Sequence, residues 1–429
     1  MGISSSLNAG VTGLSVNSSR LSAIADNIAN SGTTGYKRTI TDFSSVVTGQ
    51  IAGKYDAGGV RAQAFKKVDQ RGALLSSQNP TDIAIVGRGL IPVTTVTQRD
   101  QPATVRPLQF VTTGSFTADE QGFLRTNSGL QLLGWPTDTS GDTGAVIRAS
   151  QVNLEPVNIN GFDFASNPTT RVELGLNLPA GSTGTAGTTF STGVEYFDAI
   201  GGSQTLTLTF DTTANPNEWT MSIADSATTA NPISVHTLNF HDTGANAGFL
   251  DSVTNVSGDA YVGANGTITL QVNDDAEAIT LALGEEDATG FLSQFASDFA
   301  PVGINKDGTP VGGLSRVEVD EKGFLEAIYD TGFRQTIYKI PVADVPNLNG
   351  LTPLDNQAFE VSGDSGPFFL WDAGDGPTGQ MSGFTIEQSA TDIAEELTQL
   401  ITTQRAYSSN AKIITTVDEM LQETTNLKR

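Results

Sequence analysis

Histidine is the first place to look for chemistry near neutral pH. The chain has two, both in Val235-His236-Thr237-Leu238-Asn239-Phe240-His241. On a strand, successive side chains point to opposite faces. His236 then shares a face with Leu238 and Phe240 while His241 points away, so the pair cannot chelate one metal ion and no metal site is expected. Gly363-Asp364-Ser365-Gly366-Pro367 has the look of a peptide around a serine nucleophile. That chemistry needs a histidine base held by a buried aspartate, and neither histidine lies in such a setting, so the segment reads as a polar turn. Gly87-Arg88-Gly89 follows the apolar run Ile83 to Val86 but lacks the third glycine and the helix of a dinucleotide-binding loop. Asn305, Asp307 and Gly308 form a fragment of a calcium loop without its first aspartate or closing glutamate. Glu285-Glu286-Asp287 reads as a solvated acidic loop, and Asn17, Asn255 and Asn265 match glycosylation acceptors as a Ser/Thr-rich chain does by chance. The absence of cysteine removes disulfides, thiolate metal sites and cysteine nucleophiles together. No catalytic residue and no cofactor site emerges, and the expectation is a protein that is not an enzyme.

Composition narrows the remaining classes. The chain has 429 residues, which suits two or three domains. It carries 47 acidic and 23 basic residues, a formal charge of -24. Such acidity argues against nucleic acid, whose phosphates call for Lys and Arg, and against docking on an anionic membrane. No run of 18 apolar residues is present, so membrane insertion is not expected. The start, Met1-Gly2-Ile3-Ser4-Ser5-Ser6, has no basic region and no unbroken apolar run, and is not expected to be a cleaved signal.

The elements that would position anything are of two kinds. Near the N-terminus Leu7, Val11, Leu14, Ser18, Leu21, Ala25 and Ile28 repeat on 4,3 spacing, which predicts a heptad helix over 4–30 of about 40 Å. Ile386, Ala390, Ile393, Leu397, Leu400, Gln404, Tyr407, Ala411, Ile414, Asp418 and Leu421 do the same, predicting a helix over 386–427 of about 60 Å. A narrow apolar stripe calls for another helix. An intramolecular pair satisfies it, and so does an oligomer built through both ends; the lack of helical pattern between the ends favours the oligomer.

Between them the period is two. Val172, Leu174, Leu176 and Leu178 alternate, as do Leu206, Leu208 and Phe210; Trp219, Met221 and Ile223; Ile268, Leu270 and Val272; and Ile279, Leu281 and Leu283. This predicts antiparallel β structure of sandwich or barrel type. Asp119-Glu120-Gln121-Gly122-Phe123-Leu124 and Asp320-Glu321-Lys322-Gly323-Phe324-Leu325 repeat one another, each predicting a hairpin turn with glycine at positive φ. Two like hairpins far apart suggest one β domain assembled from both flanks of an insert. Charge divides the chain in the same way. Residues 151–305 hold 18 acidic residues and one basic, Arg171, a net of -17, whereas 1–75 is net +4 and 385–429 net -3. The fold class expected is therefore α+β and multi-domain, with terminal α-helical coiled-coil segments enclosing nested antiparallel β domains. The expected division is 1–30 with 386–429 as a helical core, 31–75 as a connecting segment, 76–150 with 306–385 as a β domain, and 151–305 as an inserted acidic β domain.

The two ends are also similar to known sequences. Leu7-Asn8-Ala9-Gly10-Val11-Thr12-Gly13-Leu14, Ile24-Ala25-Asp26-Asn27-Ile28-Ala29-Asn30 and Thr33-Thr34-Gly35-Tyr36-Lys37 resemble the N-terminal signature of the bacterial flagellar rod and hook proteins. Asp392-Ile393-Ala394-Glu395-Glu396-Leu397, Gln404-Arg405-Ala406-Tyr407, Asn410-Ala411-Lys412-Ile413-Ile414 and Met420-Leu421 resemble the C-terminal half of that signature. Thr81 to Gly89 and Gly114 to Gly129 are similar to the family as well. Length and the acidic insert favour the hook branch over the shorter distal-rod branch.

The resemblance implies a structural subunit that polymerises with itself into a curved, torque-bearing tube outside the cell. The resemblance also implies export through the flagellar export apparatus without a cleaved signal. The implied neighbours are the distal rod protein, the hook cap and the hook-filament junction protein. No cofactor is implied. The residues expected to carry assembly are Leu7, Val11, Leu14, Leu21 and Ile28 on the first helix and Ile393, Leu397, Leu400, Tyr407, Ile414 and Leu421 on the second. Lys37, Arg38, Lys54, Arg61, Lys66, Lys67 and Arg71 in the connecting segment are expected to meet acidic neighbours. A distal-rod subunit and a secreted β-rich adhesin are the alternatives.

Overall fold

A computed structural model describes residues 3–46, 58–138, 140–274 and 276–426. Lys54 and the chain ends at 1–2 and 427–429 lie outside the described residues. The chain divides into two compact units, one formed by 1–160, 316–327 and 335–429, the other by 161–315 and 328–334.

In the first unit, helix α1 spans Ile3–Ala29 and helix α2 spans Ile393–Asn426. They pack antiparallel, with Gly13 against Asn410 and Asn27 against Glu396. The predicted helical stretch 386–427 begins later than its spacing suggests. Ile386 lies in the strand Thr385–Glu387, paired with Leu75. The helix starts where Asp392 caps it, its Oδ1 accepting the N–H groups of Ala394 and Glu395 at 2.8 and 3.2 Å. An N-cap carboxylate satisfies donors that the first turn leaves free.

The segment 31–75 is more than a connector. Thr39–Ser45 and Val60–Lys66 pair antiparallel and pack on α1, where the Arg20 guanidinium lies over the Phe43 ring. Leu74–Ser76 then pairs with Thr385–Glu387. The β layer of this unit surrounds a core of Leu90, Phe110, Leu133, Trp135, Leu154, Ala343, Phe359 and Leu370. Both repeated turns have one geometry. Asp119 Oδ1 accepts the N–H groups of Gln121 and Phe123, and Asp320 Oδ1 those of Lys322 and Phe324. Gly122 and Gly323 take φ of 81° and 84°, open only to glycine at low cost.

In the second unit, a five-stranded antiparallel sheet runs in chain order from Thr189–Phe197 to Leu250–Ser257. The other sheet is built around Arg171–Pro179. Every alternating residue named above for 172–283 lies in one buried cluster between them. A fully buried Leu, Ile or Phe contributes about 1.5–3 kcal/mol, so this cluster outweighs the unit's exposed ion pairs. The expectation of purely antiparallel pairing is corrected. Arg171–Pro179 runs parallel to Glu277–Ala282 and Leu292–Phe295, and antiparallel to Ala300–Lys306. Parallel pairing needs a long crossover, and here the whole five-stranded sheet lies between the partners in the chain.

Candidate assembly interface and the junction beneath it

The helix pair turns small and polar residues inward. Gly10 and Gly13 are buried against α2, where a β-carbon on Gly10 would meet Ile414 at 3.1 Å and one on Gly13 would meet the Asn410 amide at 2.9 Å. Val16, Ala23, Ile24 and Asn27 continue that face on α1, and Glu396, Thr403 and Val417 on α2. Both helices approach closely because glycine offers no side chain there.

The predicted seam residues take other positions. Leu7, Leu14, Leu21, Ile28, Leu400 and Ile414 are half-buried at the borders of the contact. Val11, Ile393, Leu397, Tyr407 and Leu421 are 39–50% exposed. The two-helix contact within one chain thus uses part of each apolar stripe and leaves the rest facing outward.

Beneath the pair is a polar junction that hydrophobic periodicity does not reveal. Lys37 Nζ lies 2.6 Å from Glu387 Oε1, with side-chain exposures of 0% and 2%. The ammonium also donates to the Gln70 carbonyl at 2.9 Å. Glu387 Oε1 accepts the Gly72 N–H at 2.7 Å, and Arg71 Nη1 stands 3.5 Å from Oε2. The backbone of Glu387 is used too: its carbonyl accepts the Gly35 N–H and its N–H donates to Thr113 Oγ1. Burial pulls the Lys37 ammonium down to about 8, although Glu387 opposes the shift.

A second set of charges closes the top. Arg38 contacts Glu395 Oε2 at 3.0 Å and buried Glu396 Oε1 at 2.9 Å. Asn27 Nδ2 donates to Glu396 Oε1 at 3.0 Å and to the Thr39 carbonyl, while its Oδ1 accepts the Thr39 N–H at 2.7 Å. The Tyr36 hydroxyl donates to Asp26 Oδ2 at 2.8 Å, under a Lys66 ammonium 4.0 Å from its ring centroid. Burial and the Asp26 carboxylate push that phenol well above its ordinary range.

Lys37, Arg38, Lys66 and Arg71 of the expected basic set therefore do meet carboxylates: Asp26, Glu395 and Glu396, quoted above for their resemblance, and Glu387, which the sequence reading did not single out. The ion pairs described do not include Arg61 or Lys67. One further group, His241 with Asp251 and Asp287, brings three potential metal-ligating atoms within 4.8 Å of one another.

The junction and the helix pair coincide with what the chain shares with known proteins. A family model described as flagella basal body rod protein matches residues 7–37, and one described as flagellar basal body rod FlgEFG protein C-terminal matches 381–427. A third, the flagellar basal body protein FlaE D2 domain, matches 168–309. The flagellar hook protein FlgE of Brucella suis is 32% identical over 99% of this chain and 98% of its own. That of Rhizobium meliloti is 30% identical over the full length of both. The chain belongs to the flagellar hook protein family. Among solved structures, the hook protein FlgE2 of Helicobacter pylori covers 72% of this chain and 98% of its own at 12% identity, with a TM-score of 0.46. Hook protein relatives spanning the whole chain leave the distal-rod and adhesin alternatives without support, and the family is a structural one.

Proposed function

We propose that this chain, a structural subunit of the flagellar hook, polymerises through the apolar residues that its helix pair leaves outside. The observation that carries this reading is the division of the stripes: glycine, threonine, asparagine and glutamate face the partner helix, while Val11, Ile393, Leu397 and Tyr407 stay exposed. Burying such residues against helices of other subunits supplies association energy that a lone chain forgoes. In this reading 1–30 with 386–429 form the axial core and 31–75 connects it to a β domain of 76–150 with 306–385. The acidic 151–305 lies outermost, where like charges limit adhesion and allow subunits to slide as the tube bends while carrying torque. The same reading gives an extracellular place in the hook, reached through the flagellar export apparatus. Its neighbours there are the distal rod protein, the hook cap and the hook-filament junction protein. Among the described residues no helix is long and apolar enough to cross a membrane.

Polymerisation of purified subunits by salt, viewed by electron microscopy, tests the proposal. Leu14→Asp and Leu397→Asp each place an unpaired charge on a face that this reading buries only on polymerisation, at a cost of several kcal/mol per contact. Both are expected to abolish tubes while the β units stay folded, with Glu285→Lys as a tolerated control. Normal tubes from either Asp variant would remove the helix pair from the core.

A further inference from the structure

We propose that His241, Asp251 and Asp287 form a binding site for a divalent transition-metal ion of the zinc class. Three separate stretches of the second unit deliver the ligands. His241 follows the strand Ser234–Phe240, Asp251 lies on the neighbouring strand Leu250–Ser257, and Asp287 sits in the loop after Glu277–Ala282. The Asp287 N–H donates to the Leu250 carbonyl at 2.8 Å, which sets its carboxylate beside Asp251. His241 Nε2 lies 2.6 Å from Asp287 Oδ1 and 3.3 Å from Asp251 Oδ1. Zinc binds imidazole nitrogen and carboxylate oxygen at about 2.0–2.2 Å, so tetrahedral ligand atoms stand about 3.3 Å apart. The present spacing needs only side-chain adjustment to reach that. The pairing of His236 with His241 is excluded as the sequence suggests. His236 is buried with Leu238 and Phe240, and its Nε2 is 2.7 Å from Ser234 Oγ.

Charge balance is the second observation. Arg171 and Lys306 are the basic residues of 161–315, and they pair with Glu173 and Glu195 at 3.3 and 2.8 Å. Among the described residues Asp251 and Asp287 form ion pairs with His241 alone. Two adjacent carboxylates in a stretch dense in acid thus share a single imidazole, and a divalent cation held by all three groups adds positive charge where the unit has least of it. The imidazole selects the class: calcium and magnesium take oxygen ligands, whereas nitrogen with oxygen suits zinc and its neighbours. Three protein ligands facing solvent leave a further position to water.

Zinc chloride titrated into the full chain, followed by the imidazole proton resonances, tests this. With two histidines the spectrum has an internal control. The His241 signals are expected to shift and saturate at one equivalent while those of His236 stay in place. His241→Ala and Asp287→Asn are expected to weaken zinc uptake at least about tenfold with the chain's tryptophan fluorescence unchanged. Calcium chloride at the same concentration is expected not to compete. No saturable shift at about 1 mM zinc, uptake indifferent to His241→Ala, or equal competition by calcium would each overturn the assignment in favour of a diffuse acidic surface.

Discussion

The Asn27 amide meets the Glu396 carboxylate at 3.0 Å across the helix pair, and both side chains are shut off from solvent. A polar residue buried in a helix seam fixes register and orientation at a cost in stability. Here Arg38 neutralises the carboxylate at 2.9 Å, so the arrangement is tolerated only in the register that brings all three together. Removing the carboxylate leaves Arg38 with Glu395 alone and the Asn27 amide with the Thr39 backbone alone, at about 1–3 kcal/mol. Glu396→Ala is therefore expected to lose helical circular dichroism at a lower denaturant concentration than the parent. An unchanged midpoint would show that the carboxylate contributes nothing to the pair.

Val11 and Val16 separate the two helix faces. Val16 is buried against the pair and Val11 is half exposed. Val16→Asp is expected to destabilise the isolated subunit by several kcal/mol. Val11→Asp should leave the monomer within about 0.5 kcal/mol of the parent and yet block tube growth. Sedimentation of polymer alongside chemical denaturation of monomer distinguishes them, and equal monomer stability of the two variants would refute the assignment of faces.

Gly72 is expected to tolerate no side chain. A β-carbon there would lie 2.0 Å from the Gln388 carbonyl oxygen, a backbone atom that cannot step aside. Gly72→Ala should cost on the order of 2–4 kcal/mol. Hydrogen exchange should show the strand Thr385–Glu387 losing protection before the Trp135 core does. Gly13→Ala is the contrast: its clash is with the movable end of Asn410, and the gain in helix propensity of about 1 kcal/mol offsets it.

Lys37 gives the first unit a pH dependence of defined sign. Burial holds its ammonium at about 8, below an ordinary lysine, so the folded chain gives up the proton first. From about pH 8 up to the ordinary lysine range the unfolded chain binds more protons, and stability from this group rises with pH. Below about pH 8 both states are protonated and the contribution is flat. The stability difference between the parent and Lys37→Met, measured by denaturation across this range, should move in the parent's favour as pH rises. A difference constant with pH would rule the shift out.

The strands of 172–283 were legible because each buries alternate residues and turns polar ones outward, a pattern that needs no knowledge of the partner. The helices were legible as helices, but not the face each turns to the other. Gly13, Thr403 and Asn410 carry no apolar signal, although they make the contact. Ile386 and Ala390 continued the 4,3 spacing by coincidence, while Asp392 with Glu395 three residues on was an available start signal. Lys37 and Glu387 stayed hidden for a different reason. A charge reads as a surface residue until its partner is known, and these partners are 350 positions apart. The acidic loop at 285–287 is exposed, as its composition suggests; what composition does not show is that the Glu286 carboxylate accepts the Val253 N–H and that Asp287 meets His241.

The chain leaves the helix pair twice, once after α1 and once before α2, and the two exits are stitched together. The Gly35 N–H donates to the Glu387 carbonyl at 2.8 Å, and the Ala390 N–H to the Tyr36 carbonyl at 3.0 Å. Two covalent strands side by side behave as a strap rather than a thread. A single thread lets the bodies it joins swivel freely, because its backbone torsions turn one after another. A laced double strand answers rotation by winding on itself, and each increment of twist loads both strands and the bonds between them. Stiffness in torsion thus arises just below the helices, without any need for a broad rigid contact.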